Sequence, residues 1–180
     1  MTYDIVYADP PWAYYGSTTK MGAAGKHYPL MTQKDICALD VRGLMSPSAV
    51  AFVWVTCPKL HDAIHAIEAW GLHYRGVAFV WVKTTKAGVP MGARGTPPTL
   101  VKPVTELVLA ATTKPKGRPF PILDFTMKQV VFAPVTRHSE KPAIVRDHIV
   151  TLCGDRPRIE MFARHDVKGW KKWVPGKFQK

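Results

Sequence analysis

Most apolar residues of the chain fall in short segments that are continuous rather than alternating. Continuous apolar segments of strand length are typical of a sheet covered on both faces, whereas strict alternation indicates a sheet with one face in water. Six strands are predicted, over residues 3–8, 49–55, 77–82, 107–111, 129–133 and 158–162. The pattern therefore predicts a sheet that lies between two other layers.

Helical periodicity occupies the intervals between some of these strands. Apolar residues recur at helical spacing from Leu60 to Ile67, and Gly71 suits the C-terminus of that helix. A second helix is predicted over residues 142–154, beginning at a proline, which is favoured in a first turn. A shorter helix is predicted to begin at Thr32, whose side chain can cap it.

Strands that alternate with helices predict a single α/β domain over residues 1–180, with a mostly parallel sheet. The strand pairs after Glu106 are the candidates for antiparallel pairing. Sheets of this kind bind ligands at the carboxyl ends of their strands. We therefore expect one crevice to be formed by the polar residues that follow the strands, namely Asp9, Thr56, Lys83, Arg164 and His165.

Charge and cysteine content narrow the possible partners and compartments. The chain has 25 Lys and Arg against 13 Asp and Glu, a net charge of +12, which predicts a polyanionic partner such as nucleic acid. Its three cysteines are odd in number and widely spaced, which indicates neither a disulfide framework nor a zinc site and fits a reducing cytoplasm. Because the longest apolar segments have only strand length, we expect no membrane association.

The segment Ala8-Asp9-Pro10-Pro11-Trp12 ends the first strand abruptly and carries candidate chemistry. An amine on an aromatic base is a poor nucleophile unless acceptors hold its N–H groups in line with an electrophile. The Asp9 carboxylate and the Pro10 carbonyl supply two acceptors, Pro11 stiffens the backbone, and the Trp12 ring offers a face for an unstacked base. The alternative is a strand-to-loop turn with Asp9 in solvent and Trp12 in the core.

This segment resembles the Asp-Pro-Pro-aromatic motif of amino-methyltransferases that use S-adenosylmethionine. More of the chain resembles one branch, the MTA-seventy family of adenine-N6 methyltransferases. The further matching segments, in the family's order, are Tyr28-Pro-Leu-Met-Thr32, Phe52-Val-Trp-Val-Thr56, Trp70-Gly-Leu-His-Tyr74, Trp81-Val-Lys83, His138-Ser-Glu-Lys-Pro142, Ile159-Glu-Met-Phe-Ala-Arg164 and Gly169-Trp170. The resemblance implies a class I, Rossmann-like methyltransferase fold that is circularly permuted, with the catalytic strand before the strand that holds the cofactor.

The resemblance also implies residue roles. Asp9, Pro10, Pro11 and Trp12 would grip the target amine, and Tyr28 would lie near the base. The cofactor S-adenosylmethionine would contact Asp9, Ser139, Lys141, Glu160, Phe162, Arg164 and His165, with Lys141 pairing with its methionine carboxylate. Without the resemblance, Lys141 could be a solvated lysine at a helix start, Glu160 an edge-strand charge and Arg164 a surface residue.

Long basic loops are expected to flank the same crevice and to contact phosphate. They cover residues 13–31 and 84–103 and include Lys26 and Arg94, while Lys83 follows a strand nearby. The basic segment 113–118 is expected to add positive charge around the site. The alternative for all of these cations is an ordinary solvated surface.

Several questions stay open at this level. DNA is favoured over RNA as substrate, and cytosine-N4 methylation or a non-catalytic nucleic-acid-binding role are the rival functions. The chain has only eight residues before Asp9, and its C-terminus departs from the family's usual Gly-Trp-x-x-Trp-Gly-Asn, so a homo- or heterodimeric partner could supply missing contacts. Cys57, His61 and His65 have helical spacing but lack a fourth ligand, so no metal is predicted.

Overall fold

The computed structural model of the chain describes residues 1–13, 30–92, 100–136 and 140–175. Within them, seven strands form one sheet, with the bounds β1 Tyr3–Ala8, β2 Met45–Val55, β3 His73–Thr84, β4 Thr105–Thr112, β5 Val130–Pro134, β6 Arg158–Met161 and β7 Lys171–Trp173. The helices are α1 Gln33–Cys37, α2 Val41–Leu44, α3 Leu60–Ala69 and α4 Ala143–Cys153, with a short 3₁₀ turn at Cys57–Lys59.

The sheet has the strand order β5-β3-β4-β2-β1-β6-β7. β4 runs antiparallel to both of its neighbours, and every other neighbouring pair in the described sheet is parallel. The predicted mixed α/β fold with a mostly parallel sheet is confirmed. Antiparallel pairing after Glu106 is right for β4 but wrong for β5 and β6, because long connections return the chain to the parallel direction before each of them.

All six predicted strands and all three predicted helices form. The Thr32 hydroxyl caps α1 by accepting a hydrogen bond from the Asp35 N–H at 3.1 Å. The sequence pattern missed α2 and β7. β7 is only three residues long and reads Lys-Lys-Trp, so it has no apolar run from which to infer a strand.

Both faces of the central strands are covered, as the continuous apolar strands predict, whereas the edge strand β5 leaves Val130 and Phe132 exposed. On one face, Ile36, Val41 and Ile67 from the first three helices pack with one set of strand residues. On the other face, α4 buries Val145 and Ile149 against residues that alternate with that set. None of the helices in the described ranges is long and apolar enough to cross a membrane.

The topology places the Asp-Pro-Pro segment next to strands that are distant in sequence. β1 lies between β2 and β6, and Ala8, its last residue, pairs with Val53 and Met161. Thus the strand that opens the chain is adjacent to the strand that follows α4 near its end.

Candidate active site

The corner that follows β1 is held by two backbone hydrogen bonds. The Trp12 N–H donates to the Pro10 carbonyl at 2.9 Å, and the Met31 N–H donates to the Pro11 carbonyl at 3.0 Å. The first bond closes a three-residue turn, and the proline rings fix φ at positions 10 and 11. The corner is therefore stiff, and one lone pair of the Pro10 carbonyl already accepts from Trp12.

The Trp12 indole belongs to the core. It is 6% exposed, and its ring N–H donates to the Trp54 carbonyl at 3.0 Å. A side chain with this burial and this hydrogen bond anchors the corner to β2. The structure thus favours the core alternative for Trp12, while stacking of a base on its ring stays a prediction.

Asp9 begins a series of alternating charges at the carboxyl edge of the sheet. Lys141, just before α4, places its Nζ 2.8 Å from Asp9 Oδ1 and 2.9 Å from Asp9 Oδ2. The same Nζ is 3.3 Å from Glu106 Oε2, and the other Glu106 oxygen is 2.6 Å from Lys83 Nζ. These four side chains form the charge network Asp9–Lys141–Glu106–Lys83.

Two tryptophan rings support the cations of the charge network. Lys141 Nζ lies 5.4 Å from the ring centroid of Trp54, and Lys83 Nζ lies 5.4 Å from that of Trp81. These distances allow favourable cation–π contacts. The Lys141 side chain is only 10% exposed, so the alternative of a solvated lysine at a helix start is wrong.

Burial and charge act differently on the two carboxylates of the network. Burial raises the pKa of Asp9 above its ordinary value, and the Lys141 ammonium opposes that shift only in part. Burial also disfavours the charge of Glu106, but Lys141 and Lys83 together hold its pKa below the ordinary value. The environment therefore favours the neutral form of Asp9 and the ionised form of Glu106.

A crevice opens beside Asp9, between α4 and the end of β6. Its lining includes the described residues that the resemblance assigns to the cofactor, namely Asp9, Lys141, Glu160, Phe162, Arg164 and His165, together with Tyr7, Glu140 and Arg146. Arg164 and His165 are exposed at its rim. The structure thus brings together side chains from the beginning and the end of the chain, while their contacts with a cofactor stay predictions.

Glu160 is fixed on the crevice wall by a bidentate ion pair with Arg146 of α4. Arg146 Nε is 2.8 Å from Glu160 Oε2, and Arg146 Nη2 is 2.5 Å from Glu160 Oε1. The guanidinium also lies 5.2 Å from the ring centroid of Tyr7. Because β6 lies between β1 and β7, Glu160 is not an edge-strand charge, and that alternative is wrong.

Phe162 has a strained backbone at the mouth of the same crevice. Its φ of 65° makes it the one non-glycine residue with positive φ in the described ranges, a conformation that costs free energy for a bulky side chain. Its N–H donates to the Trp173 carbonyl at 2.8 Å, and its ring meets the Trp173 ring edge-on at 5.7 Å. β7 therefore holds the turn that shapes the crevice.

Four predicted site residues, Lys26, Tyr28, Arg94 and Ser139, lie outside the described residues and stay predictions. Of the basic segments, only 113–118 is wholly described, and its expected place at the site is wrong. It follows the C-terminal end of β4, and Thr113 donates through its hydroxyl to the Pro47 carbonyl near the start of β2. Because β4 is antiparallel, this segment lies at the opposite end of the sheet from Asp9.

No metal centre is apparent in the part of the chain that the structure describes, since no three His, Cys, Asp or Glu side chains there are placed to hold an ion.

Cys57 is exposed in its 3₁₀ turn. It contacts the Thr105 hydroxyl, with Sγ 3.7 Å from Oγ1. This contact joins the ends of β2 and β4 at the carboxyl edge.

Sequence reasoning missed Glu106 and Arg146. Glu106 could have been recognised as an acid directly before a predicted apolar strand. Because β4 is antiparallel to its neighbours, its first residues lie at the edge of the sheet where the parallel strands end. Arg146 follows Val145, a core residue of α4, and so sits beside the buried face of that helix. Both residues partner a predicted site residue, at distances that only the tertiary structure reveals.

Comparison with known proteins gives one matching family and several relatives. The family model described as MT-A70 matches residues 3–175. The type II methyltransferase M.MunI of a Mycoplasma species is 32% identical over 189 aligned positions, which cover 95% of this chain and 76% of that protein. The human N(6)-adenine-specific methyltransferase METTL4 is 26% identical, over 96% of this chain and 37% of that protein.

A third relative is the N6-methyladenosine RNA methyltransferase MTA1 of Pyricularia oryzae, which is 30% identical over 95% of this chain. The chain spans less than half of the human and fungal proteins, 37% and 46% of their lengths, and three quarters of the Mycoplasma one. The family match covers all seven strands and the crevice that they position. From its opening strand to its last, the chain belongs to the MT-A70, or MTA-seventy, family.

Proposed function

We propose that the protein transfers a methyl group from S-adenosylmethionine to the N6 amine of adenine in DNA. The observation that carries this proposal is the position of Asp9, on a stiff corner at the rim of the crevice and in contact with Lys141. All three relatives are methyltransferases by name, and two of those names specify N6 of adenine. The fold, the family and the corner chemistry therefore support the same reaction.

The crevice fits S-adenosylmethionine by the chemistry of its lining. Lys141 supplies a cation for a carboxylate, and Phe162 supplies an aromatic wall. Glu160 supplies acceptor oxygens for hydroxyls or an ammonium, and Arg164 supplies N–H donors for hydroxyls or a carboxylate. S-Adenosylmethionine, when bound, supplies an electrophilic methyl group on a sulfonium. The residues that would hold it are Lys141, Glu160, Phe162, Arg164 and His165, together with Asp9.

Asp9 and Pro10 would act on the amine. The carboxylate and the Pro10 carbonyl accept its two N–H groups, which holds the nitrogen in one orientation for attack on the methyl group. The methylated nitrogen is cationic and acidic, so its proton leaves to Asp9 or to water without need of a strong base. Positioning by a rigid acceptor pair is the main contribution of this corner.

DNA is our choice of substrate because the relative that this chain covers most fully among the three is a type II methyltransferase, a designation of DNA-modification systems. One relative acts on RNA by name, so RNA is the rival substrate. The net charge of +12 suits either polyanion. The three free cysteines suit the reducing cytoplasm of a bacterium or of a phage-infected cell.

A direct test incubates the protein with methyl-labelled S-adenosylmethionine and unmodified DNA or RNA, digests the product and identifies the labelled nucleoside. We expect N6-methyldeoxyadenosine from DNA. Label in N4-methyldeoxycytidine would show that cytosine, and not adenine, is the acceptor. Label in RNA alone would show that RNA, and not DNA, is the substrate. A chain that binds S-adenosylmethionine but labels neither nucleic acid would contradict the proposal.

The raised pKa of Asp9 predicts the acid side of the pH profile. The carboxylate must be ionised to accept an N–H, and burial raises its pKa. As pH falls, kcat/KM should therefore decline at a higher pH than the ordinary aspartate range near 4. Circular dichroism over the same pH range separates titration from unfolding; a decline confined to the ordinary aspartate range would contradict the prediction.

A further inference from the structure

The basic segment 113–118, here called the distal basic loop, has no role in the crevice. It carries Lys114, Lys116 and Arg118, all exposed. The eight residues of β4 rise about 3.3 Å each, so the loop lies on the order of 20 Å from Glu106 along the strand. A different explanation is needed for cations at this end of the sheet.

The distal basic loop is held in one conformation by the residues around it. The Thr112 hydroxyl donates to the Lys114 carbonyl at 2.7 Å, and Arg75 Nη1 of β3 donates to the Pro115 carbonyl at 2.8 Å. Gly117 has a φ of 75°, which a residue with a side chain rarely adopts. These contacts order the loop backbone, so the side chains of its cations start from fixed positions on the surface.

Among the described residues, the cations of this surface have no acidic partner, in contrast to Lys83, Lys141 and Arg146 near the crevice. Within the described residues, no carboxylate oxygen lies within 4.0 Å of Arg75, Lys114, Lys116 or Arg118. Lys83, Lys141 and Arg146, near the crevice, each contact an acid. Arg118 lies 5.1 Å from the ring centroid of Phe125, which is 73% exposed.

We propose that the distal basic loop and Arg75 bind the phosphodiester backbone of the DNA whose base enters the crevice. The inference rests on the proposed function for the identity of that polyanion. A fixed cluster of unpaired cations gains by releasing counterions from DNA, without competition from neighbouring carboxylates. DNA that contacts both ends of the sheet must extend about 20 Å, or roughly six phosphate spacings of about 3.4 Å on one strand.

This geometry predicts a dependence on DNA length. In Lys114→Ala/Lys116→Ala, we expect the KM for methylation of a duplex of about 30 base pairs to rise roughly tenfold at about 50 mM salt. The slope of log affinity against log salt should become shallower by about 2, because two phosphate contacts are lost. The control duplex has about 8 base pairs with its target adenine at the centre, so it extends only about 14 Å to either side of that base and does not reach the loop. Its KM should change less than about twofold.

The matched control removes two exposed lysines elsewhere, Lys34→Ala/Lys171→Ala, and should keep the wild-type salt slope. A loop variant with unchanged KM and salt slope on the long duplex would overturn the inference, as would equal losses on long and short duplexes. Failure of the proposed function gives a different result, namely a wild-type protein that methylates neither duplex. Fluorescence anisotropy with the long duplex still measures the contribution of the loop in that case.

Discussion

Asp9→Ala should lower kcat for adenine methylation by at least about 100-fold, the cost typical of removing one positioned hydrogen-bonding group from an active site. The variant loses the carboxylate that would hold the amine, while the Pro10 carbonyl remains on a corner fixed by Met31. It should still fold, because Lys141 keeps Glu106 as a partner at 3.3 Å. DNA affinity should stay within about threefold, since phosphate contacts dominate it. Single-turnover kinetics and anisotropy measure the two effects separately.

Asp9→Asn distinguishes shape from acceptor capacity. The amide keeps the size of the side chain but presents one oxygen in place of two, so activity between that of the wild type and that of Asp9→Ala is expected. Asp155→Ala removes a carboxylate that is 90% exposed and lies before β6, away from the crevice, and serves as the matched control. If Asp9→Ala kept the kcat of the wild type, the proposed role of the Asp9 corner in catalysis would be wrong.

The sequence predicted the fold well where apolar residues are dense. β1, β4 and β5 match their predicted bounds to within two residues, because each is a continuous apolar run. β5 has such a run although, as an edge strand, it buries only alternate residues. β7 was missed because it is polar and short. The apolar pattern of a strand does not specify its direction in the sheet. The same expectation of antiparallel pairing was therefore correct for β4 and wrong for β5.

In the candidate site too, local sequence motifs were predictable and contacts across the fold were not. Asp9, Lys141 and Glu160 were predicted because they lie in motifs that the family resemblance identifies; the structure brings them to one crevice, and their roles there stay predictions. The partners that fix them were not found, because Glu106 and Arg146 are defined by distances across the fold. The 113–118 segment was misplaced for the same reason: its position follows from the direction of β4, not from its own composition.

Glu106→Gln should be the most destabilising conservative change in the charge network, at about 3 kcal/mol, because removal of one partner leaves a buried charge uncompensated. Its side chain is 12% exposed and lies between two cations. For a chain of this size the change corresponds to a fall in Tm of roughly 6–12 °C. Urea unfolding followed by circular dichroism measures the loss, and Glu68→Gln, an exposed acid on α3, is the control.

A double-mutant cycle and a pH series test the cause of that loss. Glu106→Gln leaves Lys83 without its acidic partner, and Lys83→Met removes that cation. The double variant should therefore lose at least about 1 kcal/mol less free energy of unfolding than the sum of the two single losses. Because the pKa of Glu106 is lowered in the folded protein, its stabilisation is complete above the unfolded-state pKa of about 4.3 and disappears as pH falls through the folded value. The stability gap between wild type and Glu106→Gln should therefore narrow in acid. A gap that is independent of pH, together with additive losses in the cycle, would show that shape rather than charge makes Glu106 important.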